Sequence, residues 1–138
     1  MASLIYTSCI DDLVKNNIDA DTNTFKAMLV TSTYVANKDT HDKRDDVTNE
    51  VSGTGYTAGG ATSAFTVAKD TGADTVTITM GAVSWASSTI TARGCVYYKS
   101  RGGASSADEL VAYNDFGSDV SSTGGTFAVA ASTITFQN

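Results

Sequence analysis

The chain has 138 residues, of which 41% are hydrophobic and 17% charged, a composition typical of one folded domain rather than of a disordered chain. Its formal charge of −6 at pH 7 and its pI near 4.4 argue against a nucleic-acid partner, because surfaces that bind nucleic acid are rich in Lys and Arg. The N-terminal residues contain neither a basic leader nor a long apolar run. We therefore expect synthesis in a cytoplasm and no membrane partner.

The first thirty residues predict a short helix followed by a strand. Within residues 1–18, apolar side chains recur at spacings near three and four and can share one helix face: Leu4, Ile5, Ile10, Leu13 and Val14. From Thr24 the apolar period changes to two, and residues 25–30 predict a strand that is covered on both sides.

Residues 33–60 predict a long polar excursion that ends in a glycine-rich turn. Charged and polar side chains are concentrated up to Ser52, and four glycines follow between Gly53 and Gly60. The chain contains no proline, so these glycines are the residues that can adopt positive φ angles in a sharp reversal. For the polar part, both an inter-subunit contact and a mobile, solvated loop remain open.

After Gly60 the sequence predicts a series of short strands separated by glycine-rich turns. The predicted strands cover residues 62–68, 75–80, 92–100, 110–116 and 126–136, the last with a break near Ala131. Such spacing is typical of an antiparallel sheet protein. We expect residues 1–138 to form one mainly β domain, an antiparallel β-sandwich or barrel with a short N-terminal helix.

Three motifs could carry chemistry, and each lacks an essential part. Gly53-x-Gly55-x-x-Ala58 is followed by a predicted strand, whereas a dinucleotide site requires a helix. The Asp19 to Val30 segment begins like a calcium loop, but its sixth position is Thr24 and its twelfth is Val30. Cys9 and Cys95 have no metal-ligand spacing, which favours two reduced structural thiols. We therefore expect no cofactor and no metal.

The only histidine lies in a charged run from Asp39 to Asp46. His41 has neighbouring carboxylates that could orient it, but no activated nucleophile accompanies it, and Cys95 falls inside an apolar strand pattern. We expect no catalytic residues and no enzyme activity. The run is instead interpreted as a solvated or interface charge cluster.

Aromatic residues supply the second group of candidate interface residues. Tyr97 and Tyr98 are neighbours on one predicted strand, so their side chains point to opposite faces. If only one face is core, the other tyrosine remains for a partner or for solvent. The interface hypothesis therefore includes charged and aromatic side chains together: Lys43, Arg44, Asp45, Asp46, Tyr97, Tyr98 and Tyr113.

Four segments carry a resemblance to a known group of proteins. They are residues 23–30 (NTFKAMLV), 49–60 (NEVSGTGYTAGG), 92–98 (ARGCVYY) and 110–117 (LVAYNDFG). Together they resemble small virion structural proteins encoded by many tailed phages, of the head decoration or head–tail accessory type. The segment 49–60 is the most specific of the four.

The resemblance implies a non-enzymatic virion component that is made in the host bacterial cytoplasm. A capsid decoration, cement or minor capsid protein is the leading interpretation, with the major capsid protein or other virion subunits as partners. The chain is expected to form a homo-oligomer, a trimer or another ring. Two alternatives remain open: a tail, neck or fibre module that binds another tail protein or a host-surface glycan, and a cell-wall hydrolase.

Overall fold

The computed structural model describes residues 2–138, which form eight β-strands, one α-helix and two short 3₁₀ helices. In chain order these are β1 (Leu4–Ile5), α1 (Thr7–Val14), β2 (Phe25–Val30), a 3₁₀ helix (Arg44–Asp46), β3 (Ala61–Ser63), β4 (Phe65–Asp70), β5 (Thr75–Met80), β6 (Val83–Lys99), a second 3₁₀ helix (Ser105–Ala107), β7 (Leu110–Val129) and β8 (Ser132–Gln137). The expected mainly β class with one short helix is confirmed.

The strands form two antiparallel sheets. The main sheet has five strands in the order β1-β7-β6-β2-β3, and the small sheet has three in the order β4-β5-β8. The sheets pack on each other and do not close into a barrel. Of the two architectures that the sequence left open, the chain adopts the sandwich-like one.

Aromatic side chains fill the space between the two sheets. Phe25 of the main sheet stacks on Phe65 of the small sheet with ring centroids 3.9 Å apart. Tyr97 meets Phe65 edge to face at 6.2 Å. Stacked and edge-to-face pairs add to the free energy gained by burying such rings, so these contacts hold the layers together.

The opposite face of the main sheet is also buried. Along β6, buried and exposed residues largely alternate from Val83 to Ala92, whereas every residue from Gly94 to Tyr98 is buried. The excursion folds back over this second face and places Tyr34, Ala36 and Val47 against it. The interpretation of the excursion as a solvated loop is therefore wrong for Tyr34, Ala36 and Val47, whereas Val35 is exposed.

Several predicted boundaries differ from the observed ones. Leu4 and Ile5 pair with β7 as strand β1, so the helix predicted within residues 1–18 begins only at Thr7. The predicted strand 62–68 is divided at Ala64, because the chain crosses there from the main sheet to the small sheet. Strands β6 and β7 are longer than predicted, and register shifts interrupt their pairing.

The glycine-rich turn is organised around Glu50. Its Oε1 accepts hydrogen bonds from the Tyr56 hydroxyl at 2.7 Å and from the Gly59 N–H at 2.6 Å. Tyr56 Oη in turn accepts the Leu29 N–H at 2.9 Å, which fixes the turn to β2. The most specific segment of the sequence, residues 49–60, thus has a structural role in this fold.

Gly60 is the position in this turn where a side chain has no room. Its φ is +78°, and a Cβ atom there would overlap the carbonyl oxygen of Ala27. The sharp reversal expected from the glycines is confirmed, since Gly55 and Gly59 also have positive φ angles.

We predict that Gly60→Ala lowers the free energy of unfolding by about 3 kcal/mol or more, because left-handed strain and a backbone clash add. Urea denaturation measures this change. Gly103→Ala is the matched control, since the position that its new methyl group would take has open space around it. Equal midpoints for the two variants would contradict the close approach.

Candidate interaction surfaces

The three tyrosines of the interface hypothesis are buried in the core. Tyr97, Tyr98 and Tyr113 are 0%, 1% and 2% exposed. Tyr97 faces the small sheet, whereas Tyr98 and Tyr113 face the excursion. The expectation that one of them remains for a partner or for solvent is wrong, because the excursion covers the second face of the main sheet.

Arg44 is bound to a buried carboxylate of the same chain. Its Nε donates to Asp108 Oδ2 at 2.8 Å, and its guanidinium lies 5.1 Å from the centroid of the Tyr98 ring. The other oxygen, Asp108 Oδ1, accepts the Arg101 N–H at 2.8 Å. A buried carboxylate without such partners would be strongly destabilising, so Arg44 fastens the excursion to the loop before β7.

A second set of ion contacts, those of Glu109, lies beside the Arg44–Asp108 pair. Glu109 is buried and accepts two hydrogen bonds from Arg101 Nε, at 3.1 and 3.0 Å. Lys43 Nζ lies 3.8 Å from Glu109 Oε1. Asp46 Oδ2 accepts the Lys43 N–H at 3.1 Å, while Asp45 is exposed. Of the four charged residues in the interface hypothesis, Lys43, Arg44 and Asp46 therefore act within the fold, and Asp45 points to solvent.

The charged contacts change the pKa values of their carboxylates. Burial raises the pKa of Glu109, but the hydrogen bonds from Arg101 and the charge of Lys43 lower it more, so it lies below the ordinary value of 4.5. Burial also raises the pKa of Asp46, but the N–H groups of Asp42 and Lys43 bring it below 3.8. Both groups stabilise the fold in their charged form.

A chain of hydrogen bonds that the sequence did not predict anchors the excursion from inside. The hydroxyls of Tyr6 and Tyr34 are 2.8 Å apart, and the Tyr34 hydroxyl lies 3.0 Å from His41 Nδ1. The Asn37 N–H donates to the same His41 nitrogen at 3.4 Å. Because a buried tyrosine hydroxyl needs a polar partner, His41 has a structural explanation here.

An apolar groove lies between α1 and the small sheet. Its volume is about 540 Å³, and its apolar lining includes Ile10, Leu13, Val14, Val67, Val76 and Phe136. Burial on the inner face of β5 decreases from Met80 to Val76, because the small sheet extends beyond the part of the core that covers it. The far end of that face is left to solvent, and Val14 is 82% exposed.

The rim of this helix–sheet groove is acidic. Asp19 and Asp21 contribute to its lining. Hydrogen bonds from the Thr22 hydroxyl and the Asp21 N–H lower the pKa of Asp19, so its carboxylate is charged at neutral pH. An apolar floor with a negative rim is suited to a segment that presents apolar side chains flanked by Lys or Arg.

The chemistry of the remaining candidate residues agrees with structural roles. Cys9 and Cys95 are free and buried, and burial raises the pKa of each thiol to about 12. Within residues 2–138, no group of three or more His, Cys, Asp or Glu side chains is arranged to hold a metal ion. None of the helices in that range has the length and hydrophobicity to cross a membrane.

We predict that the double variant Lys43→Glu, Arg44→Glu is destabilised by about 2–4 kcal/mol, because it places two carboxylates beside the buried Asp108 and Glu109. Thermal or urea unfolding measures the loss. The control is Lys15→Glu with Lys38→Glu, which changes the net charge equally at two exposed pairs. If both double variants unfold alike, the internal ion pairs do not hold the excursion.

Acid should weaken the fold through Glu109 and Asp46. A carboxylate whose folded-state pKa is lowered contributes stability that is fully present above its unfolded value and is lost as pH falls through the folded value. We therefore predict that the stability difference between the parent and Arg101→Met is largest above about pH 5 and shrinks towards about pH 3. Urea unfolding across this range tests it, with Lys15→Met as a surface control; a pH-independent difference would contradict it.

None of the known protein-family models matches this chain, and neither the curated proteins nor the solved structures include a match. The function proposed for the chain therefore depends on the surfaces just described and on the resemblance in sequence.

Proposed function

We propose that this protein is a non-enzymatic structural component of a tailed-phage virion, a capsid decoration, cement or minor capsid protein that packs on other virion subunits. The observation that supports the proposal most directly is the helix–sheet groove. It combines a contiguous apolar surface with an acidic rim. Such surfaces on soluble proteins mark sites of association.

The sheet that forms the floor of the groove is suited to packing many identical copies on a particle. This sheet is fixed to the main sheet by stacked aromatic rings, including Phe25 on Phe65. A preformed surface loses little conformational entropy on binding. Many identical copies can then dock in one geometry, as a symmetric particle requires.

The proposed partner segment belongs to the major capsid protein or to another virion subunit. It would place apolar side chains against Val14, Val76 and Phe136, and a Lys or Arg near Asp19. A homo-oligomer would bring several grooves to one partner assembly. Multiple weak contacts of this kind combine into strong attachment.

The glycan-binding alternative depends on exposed aromatic side chains. Trp85 is 6% exposed, and the three tyrosines of the interface hypothesis are buried more deeply. Protein docking at the groove is therefore the better supported of the two recognition modes. A tail or neck position uses the same docking chemistry and differs in copy number.

We predict that Val14→Lys abolishes incorporation into particles while the isolated protein keeps its melting temperature. Val14 is 82% exposed, so the new charge costs little in the free protein but would be buried in the complex and would repel a basic partner. The readout is the copy number per purified particle by quantitative mass spectrometry.

Val35→Lys is the matched control, because Val35 is 67% exposed and lies on the excursion, outside the groove. Normal incorporation of Val14→Lys would reject the groove as the docking site. A parent protein absent from purified particles would reject the virion assignment itself. Hundreds of copies indicate the head surface, and about six to twelve indicate a neck or tail ring.

A further inference from the structure

Strand β8 is an edge strand with no built-in protection against pairing. It pairs with β5 on one side and has no strand partner on the other among the described residues. Its six residues, STITFQ, contain no charge and no proline. Natural proteins usually protect such an edge with a charge, a proline or a bulge, so an uncharged edge indicates a place for another strand.

The opposite edge of the small sheet differs. Strand β4 ends with Lys69 and Asp70, charges that discourage pairing. The crossing from β3 to β4 also closes the sandwich on that side, where Ser63 Oγ donates to the Gly81 carbonyl at 2.8 Å and the Gly81 N–H donates to the Ala64 carbonyl at 2.9 Å. The β4 edge is therefore protected against strand pairing, whereas the β8 edge is not.

On the β8 side the sandwich remains open. A groove of about 420 Å³ separates β8 from β1, the edge strand of the main sheet, and its apolar lining includes Leu4, Ile5, Ala112 and Ile134. A strand added to β8 would place its inward side chains over this groove. The open edge and the open groove are thus suited to the same kind of occupant, an extended strand with apolar residues on one face.

We propose that this occupant is β8 of a second copy, paired antiparallel across a two-fold axis. The two small sheets then form one continuous six-stranded sheet. Two-fold pairing is the commonest way in which identical chains associate, and it requires one self-complementary surface. The alternation in β8 supplies it, because Ile134 belongs to the core and Phe136 lines the helix–sheet groove, while Thr133 and Thr135 are exposed.

The alternation also determines the register. A slip of one residue would place threonines on the apolar face, so only registers that pair inward with inward residues are allowed. If the axis passes through Thr135, Ile134 of each copy pairs with Phe136 of the other copy. Nearly the whole strand is then paired. The partly exposed Phe136 gains an apolar cross-strand neighbour.

The test changes Thr135, whose side chain would lie opposite the Thr135 side chain of the second copy at the two-fold axis. Thr135→Lys and Thr135→Asp each place two like charges directly opposite, which destabilises a strand pair. We expect the parent to be dimeric at high micromolar concentration by size exclusion with light scattering, and each variant to be monomeric. An equimolar mixture of the two variants should recover the dimer, because opposite charges then meet.

Thr66→Lys is the matched control, an exposed threonine on the outward-facing side of β4 in the same sheet. It should remain dimeric, and melting temperatures should show that all variants are folded. A monomeric parent, a dimer that survives both Thr135 charges, or a mixture that stays monomeric would overturn the proposal. Because these measurements use isolated protein, their failure would leave the particle-incorporation result unaffected.

Discussion

The segment of β6 from Gly94 to Tyr98 is apolar on both faces, and the rest of the structure follows from the need to cover both. A strand can be buried on two sides only if two separate layers pack on its sheet. The small sheet supplies one layer, with Phe65 against Phe25 and Tyr97. The excursion supplies the other, with Tyr34 and Val47 against the second core cluster. Gly94 permits this arrangement, because a Cβ atom there would overlap the ring of Tyr113.

A layer made from a polar segment needs polar anchors, and buried carboxylates provide them. Asp108 and Glu109 are buried just before β7, where burial would be costly for an unpaired charge. Arg44 and Lys43 of the excursion, together with Arg101, supply the compensating charges. Lys43 and Arg44 of the excursion therefore stabilise the fold, whereas Asp45 remains exposed. The Tyr6–Tyr34–His41 chain adds a second anchor from the interior.

With both faces of the main sheet covered, the groove and the strand edge that have no partner within the fold lie at the small sheet. Its inner face extends past the core beside α1, and its β8 edge has no charge to prevent pairing. These two features have different physical requirements, an apolar segment with basic flanks for the groove and an extended strand for the edge. A virion subunit has use for both kinds of contact, since it must bind the particle and can also contact its own copies. The proposed function thus depends on surfaces of the small sheet that do not pack against the core.

Local patterns in the sequence determined the mainly β class, strands β2 and β5, the glycine-rich reversal and the break near Ala131. Each of these follows from residues close together in the chain, whose side-chain period or φ preference is read directly. The tertiary structure alone decided that Leu4 and Ile5 are a strand, that the excursion is a cover, and that Tyr98 and Tyr113 are core. These outcomes depend on which distant segment packs on which face, as Arg44 does on Asp108, 64 residues away. The helix–sheet groove and the free β8 edge also required the structure, because they are set by how far one sheet extends past another and by which strand lacks a neighbour.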